Sequence, residues 1–297
     1  MRDESGLLLT SPLSGLGYQT AGALQRLGRR MTALLPSTDA QGQLRAVPMP
    51  THVFDWQAGT ADAEAPANHD SATVLLSPDP ELARNEALSG ERFARLASLV
   101  ERLHRAKPGL LYVSVLPWAS PEEHVQRALD FGGGRGLVLL APALYGFRDA
   151  NLMDRALDLA QERPGALAHD ADQGESPLLS AGDAAAFVSA ATTRADLLGK
   201  VIWIPAQTTS LKAWLEEFRT AFDVKDAGWI ERLRSGKRRI AGEVRLGPSQ
   251  SPRRGSLLAT EVFPSPLTRL ARSLREMAGH RKLDPQNDLI FPAARGL

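Results

Sequence analysis

The sequence predicts an α/β protein: a doubly wound parallel sheet with a smaller C-terminal lobe. Three observations lead there. Short, uniformly apolar runs of strand length, such as Leu7 to Thr10, Leu110 to Leu116 and Gly136 to Ala141, alternate with longer segments of helical period. The first strand–helix–strand unit closes within roughly 30 residues, the span of a parallel crossover. A chain of 297 residues that is 43% hydrophobic and 23% charged holds enough apolar surface for one large core or two modest ones.

Leu7 to Thr10 is apolar as a strand buried on both faces must be, and the turn-rich stretch Ser11 to Gly17 follows. From Tyr18 to Arg30 the residues Ala21, Leu24 and Leu27 recur at helical spacing, and Met31 to Leu35 resumes a strand that Pro36 stops. Residues 36 to 69 are rich in Ala, Pro, Thr, Asp and Gly, with only Val53-Phe54 strand-like. Ala72 to Leu76 reads as the next strand. A long helix is expected over Glu81 to Arg105, with Phe93, Leu96, Leu99, Val100 and Leu103 on one stripe; Lys107-Pro108-Gly109 breaks it. The strand Leu110 to Leu116, a helix over 120 to 131, a glycine-rich turn and the strand 136 to 141 complete this alternation. The second half is less regular: helices over Asn151 to Glu162, Asp183 to Thr193 and Leu211 to Phe222, and a strand over Val201 to Pro205. Residues 235 to 260 read as a mobile loop and Leu267 to Met277 as a helix.

Bulk composition removes several function classes. A formal net charge of +1 provides no global field for nucleic acid or an acidic membrane. With no Cys, disulfides, thiolate nucleophiles and cysteine metal sites are excluded. Leu7-Leu8-Leu9 is too short for a signal core, and later apolar runs fall well below the ~18 residues of a spanning helix. A soluble, cytoplasmic protein with no membrane partner is expected.

Local clusters read as structure. Glu122-Glu123-His124 lacks metal-ligand spacing and is expected on a solvated helix face. Gly132-Gly133-Gly134-Arg135-Gly136 lies between a helix and a strand, the reverse of a phosphate loop, and reads as a C-cap and turn. The basic stretch Arg232 to Arg239, with Arg253-Arg254, reads as a solvated loop rather than a nucleic-acid site. Ser114 sits inside a strand without a nucleophile elbow, and Trp203 and Trp214 read as core.

Several strings, in order and spacing, resemble the extended short-chain dehydrogenase/reductases, the nucleotide-sugar epimerase/dehydratase group, from about residue 6 to about 222. Leu7 to Gly17 resembles that family's strand and Thr-Gly-x-x-Gly-x-x-Gly loop. Asp55 resembles the Asp after the third strand, and Asn85 the Asn opening the fourth helix. Tyr112-Val113-Ser114 resembles the strand carrying the catalytic Ser. Ala141-Pro142-Ala143-Leu144-Tyr145-Gly146 matches Arg-Pro-x-x-Tyr-Gly in all but the Arg, and Ser180 to Ala185 resembles the Val-x-Asp-Val-Ala helix start. The resemblance implies a Rossmann-type core over 1–148 completed by 178–206. A substrate-type lobe and tail then fall at 149–177 and 207–297. It also implies NAD or NADP as cofactor, a nucleotide sugar as ligand, and homodimerisation through helices 81–105 and 120–131.

The departures are chemical. The three loop glycines fall on Ser11, Ser14 and Gly17, so two carry a Cβ where a pyrophosphate approaches, and dinucleotide binding is expected to be weakened or lost. Leu35-Pro36-Ser37 offers neither an acid for a ribose nor an Arg for a 2′-phosphate. The cofactor-binding candidates are therefore Ser11, Ser14, Gly17 and Asp55. The family's Tyr-x-x-x-Lys pair falls on Trp118 and Glu122, and the chain's Tyr18, Tyr112 and Tyr145 form no other such pair. An indole N–H only donates, and a carboxylate cannot stabilise a phenolate. Two readings follow. One is a non-catalytic sensor, scaffold or regulatory subunit binding a nucleotide or a protein partner. The other is an active NAD(P)-dependent oxidoreductase or epimerase with divergent catalytic residues.

Overall fold

The computed structural model describes residues 6–10, 14–35, 51–55, 60–61, 69–75, 86–147, 152–153, 156–157, 160, 175–224, 250–263 and 267–283. The chain opens with β1 (Gly6–Thr10), α1 (Gly15–Arg26) and β2 (Arg30–Leu35), and β1 and β2 pair in parallel with Leu8 opposite Thr32. Leu27, grouped with the α1 stripe on sequence, is instead the helix C-cap and is 50% exposed. Next come β3 (Thr51–Asp55), β4 (Thr60–Ala61), β5 (His69–Leu75), α2 (Glu86–Ala106), β6 (Leu111–Pro117), α3 (Glu122–Leu129) and β7 (Gly136–Ala141). Then follow β8 (Ala143–Tyr145), β9 (Glu175–Ser180), α4 (Ala181–Ala191), β10 (Val201–Trp203), β11 (Gln207–Ser210) and α5 (Leu211–Phe222). The C-terminal elements are β12 (Leu257–Leu258), α6 (Ala259–Val262) and α7 (Leu270–Leu283).

The main sheet has the order β12-β10-β7-β6-β5-β1-β2-β3-β4, parallel except for the β3–β4 pair. The chain runs outward from β1 through β2 and β3, then crosses to β5 on the other side. This puts the topological switch point between β1 and β5. It is the doubly wound α/β sheet that the strand–helix alternation predicts.

Helices cover both faces, which is why the strand runs lack polar alternation. In β6, Leu111, Val113 and Val115 enter a core with α1 and α4, while Tyr112 and Leu116 enter a second core with α2 and α3. Leu7 and Leu9 of β1 belong to the first core and Leu8 to the second, all three fully buried. Such residues each contribute ~1.5–3 kcal/mol of burial. A third core joins Tyr145, Phe147 and Leu178 to α5 (Trp214, Leu215, Phe218) and α7 (Leu274, Met277). Trp203 and Trp214 are core residues, at 2% and 0% exposure, as expected.

The glycine run at 132–136 is the turn expected from its place between a helix and a strand. Gly132, Gly133 and Gly134 have φ of 60°, 71° and 86°, and a Cβ on Gly132 would meet the Tyr112 ring. Gly136 is required sterically, since a Cβ there would lie 2.0 Å from the Ala128 carbonyl oxygen.

Sequence periodicity does not reveal a second sheet, of order β11-β9-β8, with β8–β9 parallel and β9–β11 antiparallel. Its middle strand contains Pro177, which lacks a ladder donor. Pro177 faces Thr208 of β11 alone, because β8 pairs only from Leu178 onward. The segment 235 to 260 is not wholly loop either: Leu257 and Leu258 pair in parallel with Ile202 and Trp203, which puts β12 on the main-sheet edge. Residues 225–249, with the basic stretch 232 to 239, lie outside the described residues, as do Ser11, Ser37 and Asn85.

Candidate functional site at the carboxyl ends of the sheet

In an open parallel sheet the crevice beyond the strand carboxyl ends, at the switch point, is where a ligand can be surrounded by loops and a helix N-terminus. Here that helix is α1. Ser14 is its N-cap, and its Oγ accepts the Gly17 N–H at 3.1 Å, while the Ser14 carbonyl accepts from Tyr18 N at 2.8 Å. The first turn carries no acidic residue, so the positive end of the helix dipole is unopposed from within its own first turn. Ser14 and Gly17 thus meet within one helical turn, with Gly17 buried. Asp55 ends β3, paired with Thr60 of β4 and separated from β1 by β2. Ser11 lies outside the described residues.

The positions matched to the family's Tyr and Lys do not share a helix face. Trp118 lies in the turn after β6, and Glu122 is the first residue of α3. The Trp118 indole N–H donates to the carbonyls of Leu140 (3.1 Å), near the end of β7, and Ile204 (3.2 Å), just past β10, and its ring stacks on Trp203 at 4.4 Å. Glu122 is also occupied: its Oε2 accepts from Arg253 Nη1 at 2.6 Å. The same guanidinium donates to the Trp118 carbonyl at 3.3 Å and to the Ser120 carbonyl. Arg253 is therefore not the solvated loop cation expected from the sequence. The reason is tertiary: the β6–α3 turn presents two carbonyls and a carboxylate within reach of one fork.

Ser114 is buried at mid-strand on the β6 face shared with Tyr112, and neither hydroxyl has a hydrogen-bond partner among the described residues. All three tyrosines are buried, at 1% (Tyr18), 0% (Tyr112) and 2% (Tyr145) exposure. Burial pushes the Tyr112 phenol well above its ordinary value, the Arg135 charge opposing weakly. Burial raises the Tyr145 phenol too, against a hydrogen bond with Ser273 and with the Asp183 charge adding to the rise. Both phenols stay neutral at physiological pH.

His124 stacks on Phe93 at 4.2 Å, and burial lowers its pKa despite the Glu123 charge. The Glu122-Glu123-His124 run is thus only partly the solvated face expected: both carboxylates are exposed, but Glu122 is held by Arg253 and His124 packs on a core ring. No group of three potential metal ligands occurs among the described residues.

Sequence reasoning missed a buried polar cluster joining the two sheets. Asp183, in the first turn of α4 capped by Ser180, accepts from Thr268 N (2.9 Å) and Thr268 Oγ1 (2.7 Å). Gln207 accepts from Leu270 N at 2.9 Å and donates to the Thr268 carbonyl, so it caps the start of α7. The helix-start signal at Ser180 to Asp183 is visible in the sequence; a partner 85 residues away is not.

No family model matches this chain, and no curated protein matches it. Solved structures do. UDP-glucose 4-epimerase from Bifidobacterium longum, in complex with NAD+ and UDP, superposes with a TM-score of 0.63 at 11% identity, covering 95% of this chain and 99% of that one. The dTDP-glucose 4,6-dehydratase from Bacillus anthracis, in complex with NAD, gives 0.63 at 11% identity, covering 95% and 100%. The UDP-glucose 4-epimerase of Thermus thermophilus, in complex with NAD, gives 0.61 at 15% identity, covering 93% and 99%. No helix among the described residues is long and apolar enough to cross a membrane. Over most of its length, and at low sequence identity, this chain has the Rossmann-type fold of the NAD-dependent nucleotide-sugar epimerases and dehydratases.

Proposed function

We propose that this chain is a non-catalytic protein on the epimerase/dehydratase fold, holding a nucleotide or a protein partner as a sensor, scaffold or regulatory subunit. The observation that carries the reading is the commitment of Trp118: its one donor serves two backbone carbonyls and its ring is stacked, so it has no proton to exchange with a substrate. Glu122 is held by Arg253 and contributes no ammonium. The burial of all three tyrosines supports the same conclusion, since a general base needs access to the reacting atom.

The ligand half of the reading rests on α1. An N-terminus with no acidic residue in its first turn, at the switch point, suits an anionic phosphate. Ser14 tightens that approach, because its Oγ already satisfies the Gly17 N–H. NAD or NADP would be held here by Ser11, Ser14, Gly17 and Asp55, more weakly than by a three-glycine loop. When bound, such a cofactor would supply hydride chemistry; the α1 N-terminus would face its phosphates, and Trp118 and Glu122 would offer it no partner acid or base. Self-association is proposed through α2 and α3. Their outward residues include the pairs Glu91–Arg95 and Glu101–Arg127, and a light-scattering mass tests the dimer.

The test is a thermal-shift screen of NAD(H), NADP(H) and UDP- and dTDP-sugars on purified protein, with mass spectrometry of copurified ligand and a turnover assay. Binding at ~100 times the dissociation constant stabilises by about 2.7 kcal/mol. The expected result is stabilisation or a copurified nucleotide without turnover. Robust NAD(P)-dependent turnover, abolished by substituting Trp118 or Ser114, would establish the active oxidoreductase or epimerase instead.

A further inference from the structure

We propose that residues 250–256 form a releasable strap over the β6–α3 turn, with the Arg253–Glu122 contact as its clasp. The strap controls solute access to the buried Trp118 and Ser120. Its two ends are held by different kinds of contact. At the clasp end, Ser251, Pro252, Arg254 and Gly255 are exposed, and the Arg253 guanidinium holds the body through Glu122, the Trp118 carbonyl and the Ser120 carbonyl. The Glu122 side chain is 77% exposed, so this ion pair is water-screened and weak.

At the far end the chain is fixed in the core. Ala259 and Phe263 are buried, Phe263 lies 6.1 Å from the Phe187 ring, and Arg194 reaches in to the Val262 carbonyl (3.1 Å) and over the Phe263 ring. Before that anchor lie a turn closed by Ser256 on the Arg253 carbonyl, with Gly255 at φ 81°, and then β12, whose Leu257 and Leu258 pack on the two main cores and belong to the anchor. A segment with a polar, exposed clasp and an apolar anchor opens locally from the clasp end without disturbing the core. Beneath the clasp lies the turn whose Trp118 ties the ends of β7 and β10. Release of the strap therefore uncovers the turn that bridges these strand ends through a side chain.

The absence of cysteine gives a direct test, because one introduced thiol is the sole reactive one. Ser120 is 7% exposed under the clasp and Ser114 is 1% exposed inside β6. Ser120→Cys and Ser114→Cys proteins are labelled with N-ethylmaleimide under native conditions. Local opening makes the thiol at 120 react on the order of a hundredfold faster than that at 114, which reacts only on global unfolding. Adding Arg253→Ala raises the rate at 120 about tenfold and leaves that at 114 unchanged. Glu122→Gln, an exposed and fold-neutral change, raises it less, and salt acts in the same direction. Equal rates at 120 and 114, or a parallel rise of both in the Arg253→Ala background, overturn the strap. No ligand enters this measurement, so its outcome is independent of the nucleotide reading.

Discussion

Tyr112 and Tyr145 are buried phenols of opposite standing. The Tyr145 hydroxyl has Ser273 as a partner, and the ring meets Trp214 edge-on at 6.1 Å. The Tyr112 hydroxyl has none among the described residues. An unpaired buried hydroxyl carries its desolvation cost without return, whereas a paired one recovers it. Tyr145→Phe is thus expected to lower unfolding stability by about 1 kcal/mol, and Tyr112→Phe to leave it unchanged or raise it by up to about 1 kcal/mol. Urea midpoints at neutral pH separate the two, and a loss of over about 1 kcal/mol in Tyr112→Phe would contradict the unpaired assignment. Trp118→Phe removes the indole donor from the Ile204 carbonyl, while the Leu140 carbonyl keeps the Ile204 N–H at 2.9 Å, and is expected to cost about 1–3 kcal/mol in the same assay. The sequence makes it plain that a Trp and a Glu stand where a catalytic pair was expected. It cannot show what they do instead, because Ile204 and Arg253 lie 86 and 135 residues beyond Trp118.

At the scale of elements, legibility followed burial on two faces. β1, β6 and β7 are near-continuous apolar runs because helices cover both sides, and their registers follow from simple adjacency. β9 has polar ends and carries Pro177, and β11 is a four-residue polar run, so neither shows a period that separates it from loop. Helix starts were partly legible: Ser14, Ser180 and Ser210 each cap a helix by accepting an N–H three residues on. Ser180→Ala should cost about 1 kcal/mol through α4, a value typical of a lost cap. Gly136→Ala should cost more, about 3 kcal/mol or above. Its Cβ would meet two backbone carbonyls of α3, at 2.0 Å and 2.6 Å, and neither can swing aside. Circular-dichroism melts of both variants check this order, and equal losses would mean the α3–β7 contact relaxes more easily than its geometry implies.

For the whole molecule, the three cores share one consequence of folding: two phenols are carried out of water and kept protonated, Tyr112 between β6 and α2/α3 and Tyr145 beneath α5 and α7. Their folded pKa values lie above the ordinary 10.0. Below that value folded and unfolded chains hold both protons, and the phenols contribute no pH dependence. Above it the unfolded chain releases protons that the folded chain retains, so the unfolded state binds fewer and stability falls as pH rises. The loss approaches about 1.4 kcal/mol per pH unit for each phenol until the folded groups themselves ionise. Lysines titrate over the same range, so the informative quantity is a difference. Between about pH 8 and about pH 11, wild-type protein should lose more urea stability than a Tyr112→Phe/Tyr145→Phe protein, by about 3 kcal/mol, roughly half from each phenol. Parallel curves for the two proteins would mean that both phenols reach water in the fold, and half the difference that one does. A phenol that reaches water can also exchange a proton with a substrate, so the same measurement bears on whether this chain has a side chain fit for the chemistry its fold usually carries.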